Sequence, residues 1–454
     1  MMISKKRIFK GLAISLAAAT LAVSFSACIQ KPVEEESVIK DQWSGKDELK
    51  LPSDDQALRA RYEDLKNKGT LAFTTSSVAD PAAFEIEEED GGTKIVKYVG
   101  NDSVVVIPES INGSAVVSIA AGAFAGNTVT ALFIPDSVEK IEKGALEGCE
   151  KLATLRIPFI GDRDENSHFG YAFNCDSYEN QPTKVPATLD MVIVGNGDKI
   201  AENAFAGCKG ISAIILPDSI TSIEKFAFYE CSDLVYLDIG GATNVGNYAM
   251  GYCSSLYAID LSNADKIGFG ALFSANALYS LKAKFVGGGE NENRYIGYIF
   301  GAETVDFNDE FTPTSLRSVT LTDTASIPDR AFASCAYITE IVLPEGVTDI
   351  GVRAFYSCRS LEEIKLPDSL KTIGDDAFFA CDGLKTVSFG KGLETIGMQA
   401  FFSCRSLDGV IIPDGVKTVG SSAFALCSSL KSVTVGQNTA VGKDAFLNCP
   451  YSQE

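Results

Sequence analysis

His168 and Cys175 are the first residues of this chain to invite a chemical reading, because a cysteine–histidine pair can attack a carbonyl once the imidazole has taken the thiol proton. His168 is also the sole histidine among 454 residues, so metal centres built on several imidazoles are excluded by supply. The pair can be tested from within the sequence. FIGDRDENSHFGYAF, from Phe159, has a counterpart in FVGGGENENRYIGYIF, from Phe285, where Tyr295 replaces His168 and Ala302 replaces Cys175. A part reused without its nucleophile and base reads as structural, and no catalytic residue is assigned. DRDEN, Asp162 to Asn166, opens like a calcium loop, but Ser167 stands where the sixth position needs glycine and Phe173 where the twelfth needs glutamate. It fails as an EF-hand and leaves at most a weak cation site in an acidic loop, so no metal ligand or cofactor is assigned. The run Gly287, Gly288, Gly289 lacks the lysine and helix of a phosphate loop and reads as a flexible loop.

Cysteine is the other reactive residue in quantity. Apart from Cys28 there are eleven, an odd number, so at least one is unpaired within the chain. Ten of them recur at one position of a repeated phrase, four residues after an alanine. In a stacked file they would lie about one strand spacing apart, which a disulfide can span, although parallel side chains would strain its torsion. Buried thiols are the expectation and a disulfide ladder the alternative. Metal binding fits poorly, since ligands must surround a point and these form a row.

That row depends on a repeat. IGDDAFFAC begins at Ile373 and IGMQAFFSC at Ile396, and the underlying phrase I/V-x-x-x-A-Φ, with Φ a large apolar residue, occurs twelve times. Its alanines fall at 123 and 145, then from 204 to 271, then from 331 to 445, in steps of 22 or 23 residues within each block. The unit is clearest in LEEIKLPDSLKTIGDDAFFACDG, residues 361–383. Leu361, Ile364 and Leu366 form a short strand whose alternation sends Glu363 and Lys365 outward. Pro367 ends it for want of a donor. Leu370 and Ile373 face inward from a second extended stretch, Gly374 suits a bend that a side chain would obstruct, and Ala377 and Phe378 begin a helical turn. One unit cannot bury this face alone, so units must stack. Two interruptions, about 158–200 and 284–327, divide the array into blocks of two, four and six, each interruption reading as a degenerate coil plus a protruding loop.

The motif L-x-x-I-x-L-P-x-x-Φ-x-x-I-G-x-x-A-F-x-x-C closely resembles the BspA-like, or treponemal-type, leucine-rich repeat of bacterial surface proteins, over about residues 84–449. The resemblance implies an α/β repeat: a leucine-rich repeat solenoid of about 12 regular coils plus two degenerate coils with inserted loops. FEIEEEDGGTKIVKYVG, from Phe84, looks like the family's N-terminal entry, a β-hairpin cap with its turn at Gly91 and Gly92. Such repeats commonly place a buried asparagine or cysteine where the cysteine file runs, and Asn127 holds that slot in the first copy. The family is associated with adhesion to host matrix proteins or to other cells. The alternative is a non-adhesive scaffold that binds a partner in its own envelope.

Ahead of the array, four positive charges within the first ten residues and an apolar run from about Leu12 to Phe25 lay out a secretory signal. FSAC resembles a bacterial lipobox, with Phe25 in place of the usual leucine, and makes Cys28 the lipidated residue. The expected order is a signal peptide at 1–27, a lipid-anchored tether with a short helix at 28–70, a cap at 71–112 and the solenoid at 113–454. Leu58, Tyr62 and Leu65 give that helix its apolar spacing, and Gly69 is its expected stop. Localisation follows as extracytoplasmic and lipid-anchored to a bacterial envelope, surface-exposed, and on the outer membrane in a two-membrane cell, since Ile29 is not the aspartate of inner-membrane retention. A formal charge of −21 argues against nucleic acid or an anionic membrane surface as partner. Protein ligands are expected on the outward strand positions, where Phe133, Arg156, Ile215, Tyr236, Asp238, Val342, Lys365 and Ile411 are the candidates.

Overall fold

The computed structural model describes residues 55–71, 77–162 and 167–450. Cys28, the signal and most of the tether lie outside these residues, as do positions 163–166 of DRDEN.

Within the repeat, each outward–inward–outward triplet forms one strand, and the strands pair in parallel with those of the neighbouring coils, with one break between Thr386–Ser388 and Gly409–Ile411. The result is a 12-stranded sheet from Val104–Val106 to Thr386–Ser388, continued by a 2-stranded sheet of Gly409–Ile411 and Ser432–Thr434. Alternation sets the faces: Ile364 is 2% exposed while Glu363 and Lys365 on either side are open to solvent. The second extended stretch of each coil forms its own parallel row. That row is broken at both interruptions, which yields one sheet joined to the N-terminal hairpin, one of 4 strands and one of 6. The blocks of two, four and six are therefore real, yet the strand face runs through both interruptions, because Thr154–Ile157 pairs directly with Met191–Val194 and Ser280–Ala283 with Ser318–Leu321.

The third side of the coil differs from the sequence expectation. The stretch around Ala377 and Phe378 is a turn and not the start of a helix. Its backbone reaches the next coil: Asp376, Phe378 and Ala380 donate to the carbonyls of Met398, Ala400 and Phe402 at 2.9, 2.7 and 2.8 Å. Asp376 and Ala380 adopt left-handed conformations, with φ of 54° and 56°, which aim the intervening N–H groups along the solenoid axis. A helix would have spent those donors within the coil. The phenylalanine rings follow the same axis. Phe378 stacks on Phe355 at 4.8 Å and on Phe401 at 4.9 Å, nearly parallel to both. Gly374 is needed because the preceding coil lies against it: a Cβ there would meet the carbonyl carbon of Gly351 at 2.7 Å.

At the N-terminal end, strands Phe84–Glu89 and Gly92–Tyr98 form the expected hairpin. Its two-residue turn is Asp90–Gly91, one position earlier than expected, with Gly91 at φ 91°. Gly92 is instead the first strand residue, lying against the backbone of Ala115. Tyr98 stacks on Phe124 at 5.6 Å, meets Phe84 at 5.4 Å on its other side, and donates its N–H to the Ala123 carbonyl at 2.8 Å. The hairpin thus copies the contacts a preceding coil would have made.

The interruptions are two copies of one module. Each begins with a 3-10 turn, Phe169–Phe173 or Ile296–Phe300, and then folds back through short helices at Gln181–Lys184 or Asn308–Phe311. A buried amide holds each together. Gln181 accepts from the Gly170 N–H at 2.7 Å and donates to the Ala206 carbonyl at 3.0 Å. Asn308 accepts from Gly297 at 2.9 Å and donates to Arg330 at 3.1 Å. Each interruption supplies a strand as the expected degenerate coil should, and the residues expected to protrude as a loop contain these folded turns.

Because Phe378 is enclosed by rings on both sides, Phe378→Ala should cost about 3–5 kcal/mol in a denaturant titration. Phe446, on the last repeat and only partly buried, should cost less than half as much. Equal losses would show that stacking between coils is not what the ring contributes.

Candidate functional site: the outward strand face

The outward face carries two side chains per coil in fixed files, and the structure sorts the candidate residues into three groups. Phe133 and Arg156 are cross-strand neighbours that bind each other. The Arg156 guanidinium lies 4.5 Å from the Phe133 ring centroid, donates to the Ile134 carbonyl at 2.8 Å and pairs with Asp136 at 2.6 Å. At 15% exposure that side chain is held in place. Val342, Lys365 and Ile411 share one file toward the C-terminal end, where Val342 is 43% and Ile411 74% exposed. At ~4.8 Å per coil this file spans about 14 Å.

The third group, Ile215, Tyr236 and Asp238, sits beside a covered surface. The N-terminal helix, Asp55–Leu71, continues past its expected stop at Gly69 and lies against the strand face. Its buried and half-buried positions, Leu58, Arg61, Tyr62 and Leu65, follow the i, i+3, i+4, i+7 stripe of an amphipathic helix. Leu65 is fully buried in a cluster with Met191, Ala213, Val235 and Tyr257. The Tyr62 ring meets Tyr236 edge-on at 5.4 Å and Tyr257 at 5.6 Å. Arg61 pairs with Asp190 at 2.5 Å and reaches the Ser212 hydroxyl at 3.4 Å. Burial pushes the Tyr236 phenol up to about 12, with the Asp238 carboxylate adding to it. Asp238 also accepts from the Gly240 N–H at 3.0 Å. Arg61, Leu65, Asp190 and Val235 were not singled out by the strand alternation. The available signal was the helix stripe itself, since a Leu58–Tyr62–Leu65 row must be buried against something.

The reactive side chains serve the fold. All eleven cysteines in the described residues are free thiols, and all but Cys449 are buried. Eight donate to the phenylalanine carbonyl of the preceding coil, as Cys381 does to Phe355 at 3.1 Å. Burial pushes the Cys231 thiol up to about 12, the opposite of an activated nucleophile. Cys335 floors a cleft beside the second interruption, lined by Asp309, Thr312, Tyr337 and Arg359, and burial likewise pushes it up to about 12. Among the described residues no group of three or more His, Cys, Asp or Glu is placed to hold a metal.

His168 is 8% exposed, and neither ring nitrogen has a hydrogen-bond partner among the described residues. In the second module its counterpart Tyr295 donates to the carbonyl of Ala302, the residue matching Cys175, at 3.0 Å. Burial, helped by Lys143, lowers the imidazole's affinity for a proton below the ordinary value. The unfolded chain therefore binds that proton more readily. The stability contribution is complete above about pH 6.5 and is lost as the pH falls from there toward the folded pKa. His168→Tyr should remove that portion of the acid sensitivity and, by supplying the hydroxyl bond, leave neutral-pH stability equal or up to about 1 kcal/mol higher. Thermal melts of both chains between about pH 5 and 8 check this; a variant that melts lower at every pH would refute the equivalence of the two modules.

Three comparisons with known proteins bear on this chain. No curated protein matches the sequence. Among solved structures, a leucine-rich repeat protein from Bacteroides ovatus is 22% identical over 83% of this chain and 92% of its own, with a TM-score of 0.33. A leucine-rich cell surface protein from Faecalibacterium prausnitzii is 21% identical over 80% and 96%, with a TM-score of 0.28. The leucine-rich repeat protein of T. pallidum is 17% identical over 73% and 91%, with a TM-score of 0.20. The model of the BspA-type leucine-rich repeat region matches in six copies, across residues 105–185, 187–285 and 310–453. Those segments make up well over half of the sequence, and the chain belongs to the BspA-type leucine-rich repeat family.

Proposed function

We propose that this chain is a bacterial cell-surface protein that binds other proteins along its outward strand face, with matrix or surface proteins of a host or of neighbouring cells as its ligands. Lipid attachment at Cys28, with outer-membrane placement in a two-membrane cell, is part of the proposal. The observation that carries it is that the face already holds a polypeptide: the chain's own helix seats Leu65, Tyr62 and Arg61 on it through one apolar cluster and one ion pair. Farther along, Val342 and Ile411 keep β-branched side chains in solvent. Exposed aliphatic anchors in a rigid file suit contact with a second protein surface. Several such contacts along one rigid array add through effective concentration, so individually weak ones suffice. No step of this function calls for a nucleophile or a cofactor.

Surface display is tested by protease treatment of intact cells, which should remove the protein. For binding, the purified chain should adhere to host cells or immobilised matrix protein, and Ile411→Asp or Val342→Asp should weaken adhesion roughly tenfold by each removing an anchor. Failure of the unaltered chain to adhere to any host, matrix or bacterial surface ends the adhesive reading. A single stoichiometric partner recovered from the chain's own envelope would replace it with the scaffold.

A further inference from the structure

We infer that the middle of the strand face is a docking site for an amphipathic helix, and that residues 55–71 hold it closed as a displaceable cover. The inference rests on the protein-binding reading above and names the partner chemistry for this part of the face. The partner is a helix carrying aliphatic, basic, aromatic and aliphatic residues at i, i+3, i+4 and i+7.

The site has the composition such a helix needs. Its floor is Met191, Ala213, Val235 and Tyr257, which lie on successive coils and together take up Leu65. Tyr257 is backed by Tyr279, stacked at 5.4 Å and 6° from parallel. Its edges are acidic. Asp190 receives Arg61 on one side. On the other, Asp238 and Asp260, the latter also bridged to Lys282 at 2.8 Å, add to burial and to Glu63 in raising the Tyr62 phenol's affinity for its proton. An acidic rim around an apolar floor selects a basic amphipathic helix over an acidic one.

The occupant is held by little else. Among the helix positions whose side chains are described, only Leu65 is fully buried, and outside the 58–61–62–65 stripe each of them faces solvent. On that outer side Lys68 pairs with Asp64 of the same helix at 2.8 Å. A helix of 17 residues is marginal in water unless a tertiary face supports it, so docking and helix formation are one equilibrium. Covalent linkage keeps the cover in place by raising its effective concentration. An outside helix of the same pattern competes for the identical floor once its own local concentration is comparable. Release would also uncover a contiguous apolar patch, the kind of surface that soluble proteins leave open only for an interaction.

The test uses the full chain and a labelled peptide of residues 54–71. In the full chain, Leu65→Asp undocks the helix while leaving the repeat core untouched, which an unchanged circular dichroism melt of the solenoid verifies. Trypsin should then cut after Arg59, Arg61 and Lys66 at least tenfold faster than in the unaltered chain. The peptide should bind the Leu65→Asp chain, and bind the unaltered chain roughly tenfold or more weakly, because the linked helix competes. A peptide carrying Arg61→Glu or Leu65→Asp should not bind either chain. Binding of the native peptide to neither chain, or equally to both, overturns the inference, as does equal trypsin cutting. Those outcomes leave the adhesion measurements on Val342 and Ile411 unaffected, so the two readings fail separately.

Discussion

The hydrogen bond from one coil's phenylalanine N–H to the next coil's alanine carbonyl is the constraint on which the rest of this molecule depends. It repeats at 2.7–3.0 Å from Phe124 to Phe424, and it crosses both interruptions through Leu146 to Ala172, Phe169 to Ala204, Leu272 to Ile299 and Ile296 to Ala331. A buried turn must place every backbone donor and acceptor. Here they go to neighbouring coils, so no coil is satisfied alone. The letters of the repeat follow from this. Alanine lets two backbones approach, left-handed residues on either side orient the donors, and the phenylalanine ring falls into register with the next one because its own backbone is tied to the neighbour. The cysteine thiol serves the carbonyl of the residue whose N–H makes that bond. A disulfide between neighbouring cysteines would take the thiol proton and leave that carbonyl without it, which gives free thiols a physical reason beyond geometry.

The same constraint explains how the chain tolerates two insertions. Each module keeps one donor and one acceptor on the central ladder and one strand on the outward face, and changes what lies between. The second extended row is given up there, and the buried amides of Gln181 and Asn308 take over part of the bonding that the row supplied elsewhere. The consequence for function is that the outward face passes both insertions without a break in the pairing, so contacts on either side of them are carried on one sheet.

Much of this was written in the sequence, for a reason that is itself physical. Stacking forces equivalent residues into equivalent environments, so a rule such as inward Ile364 and outward Lys365 is repeated until it is unmistakable. Tyr98 was legible only as part of a hairpin, since its role as a stand-in for phenylalanine needs the neighbouring coil. The turn at Ala377 was misread as helical because an apolar pair after glycine looks the same whether its N–H groups bond within the coil or along the axis. Arg156 and Phe133 were legible as outward residues but not as partners, since they are 23 positions apart in sequence and adjacent only through strand pairing. The helix at 55–71 showed its stripe, while its target, assembled from several coils, appears in no local window.

These particulars divide the outward face by its capacity for new contacts. Toward the N-terminus, Arg156 is committed to Phe133, Ile134 and Asp136, and engaging it elsewhere would mean leaving a charge-assisted bond and a ring. In the middle, the floor is apolar but covered, so a partner there must first displace an occupant that is always at hand. Toward the C-terminus, Val342 and Ile411 are open, and contact there displaces water alone. On the proposed protein-binding reading, a ligand approaching the array would therefore meet its smallest barrier at the C-terminal block. Contacts made there would raise its effective concentration over the covered middle, so on this reading the order of engagement along the solenoid is set by which side chains are already spoken for.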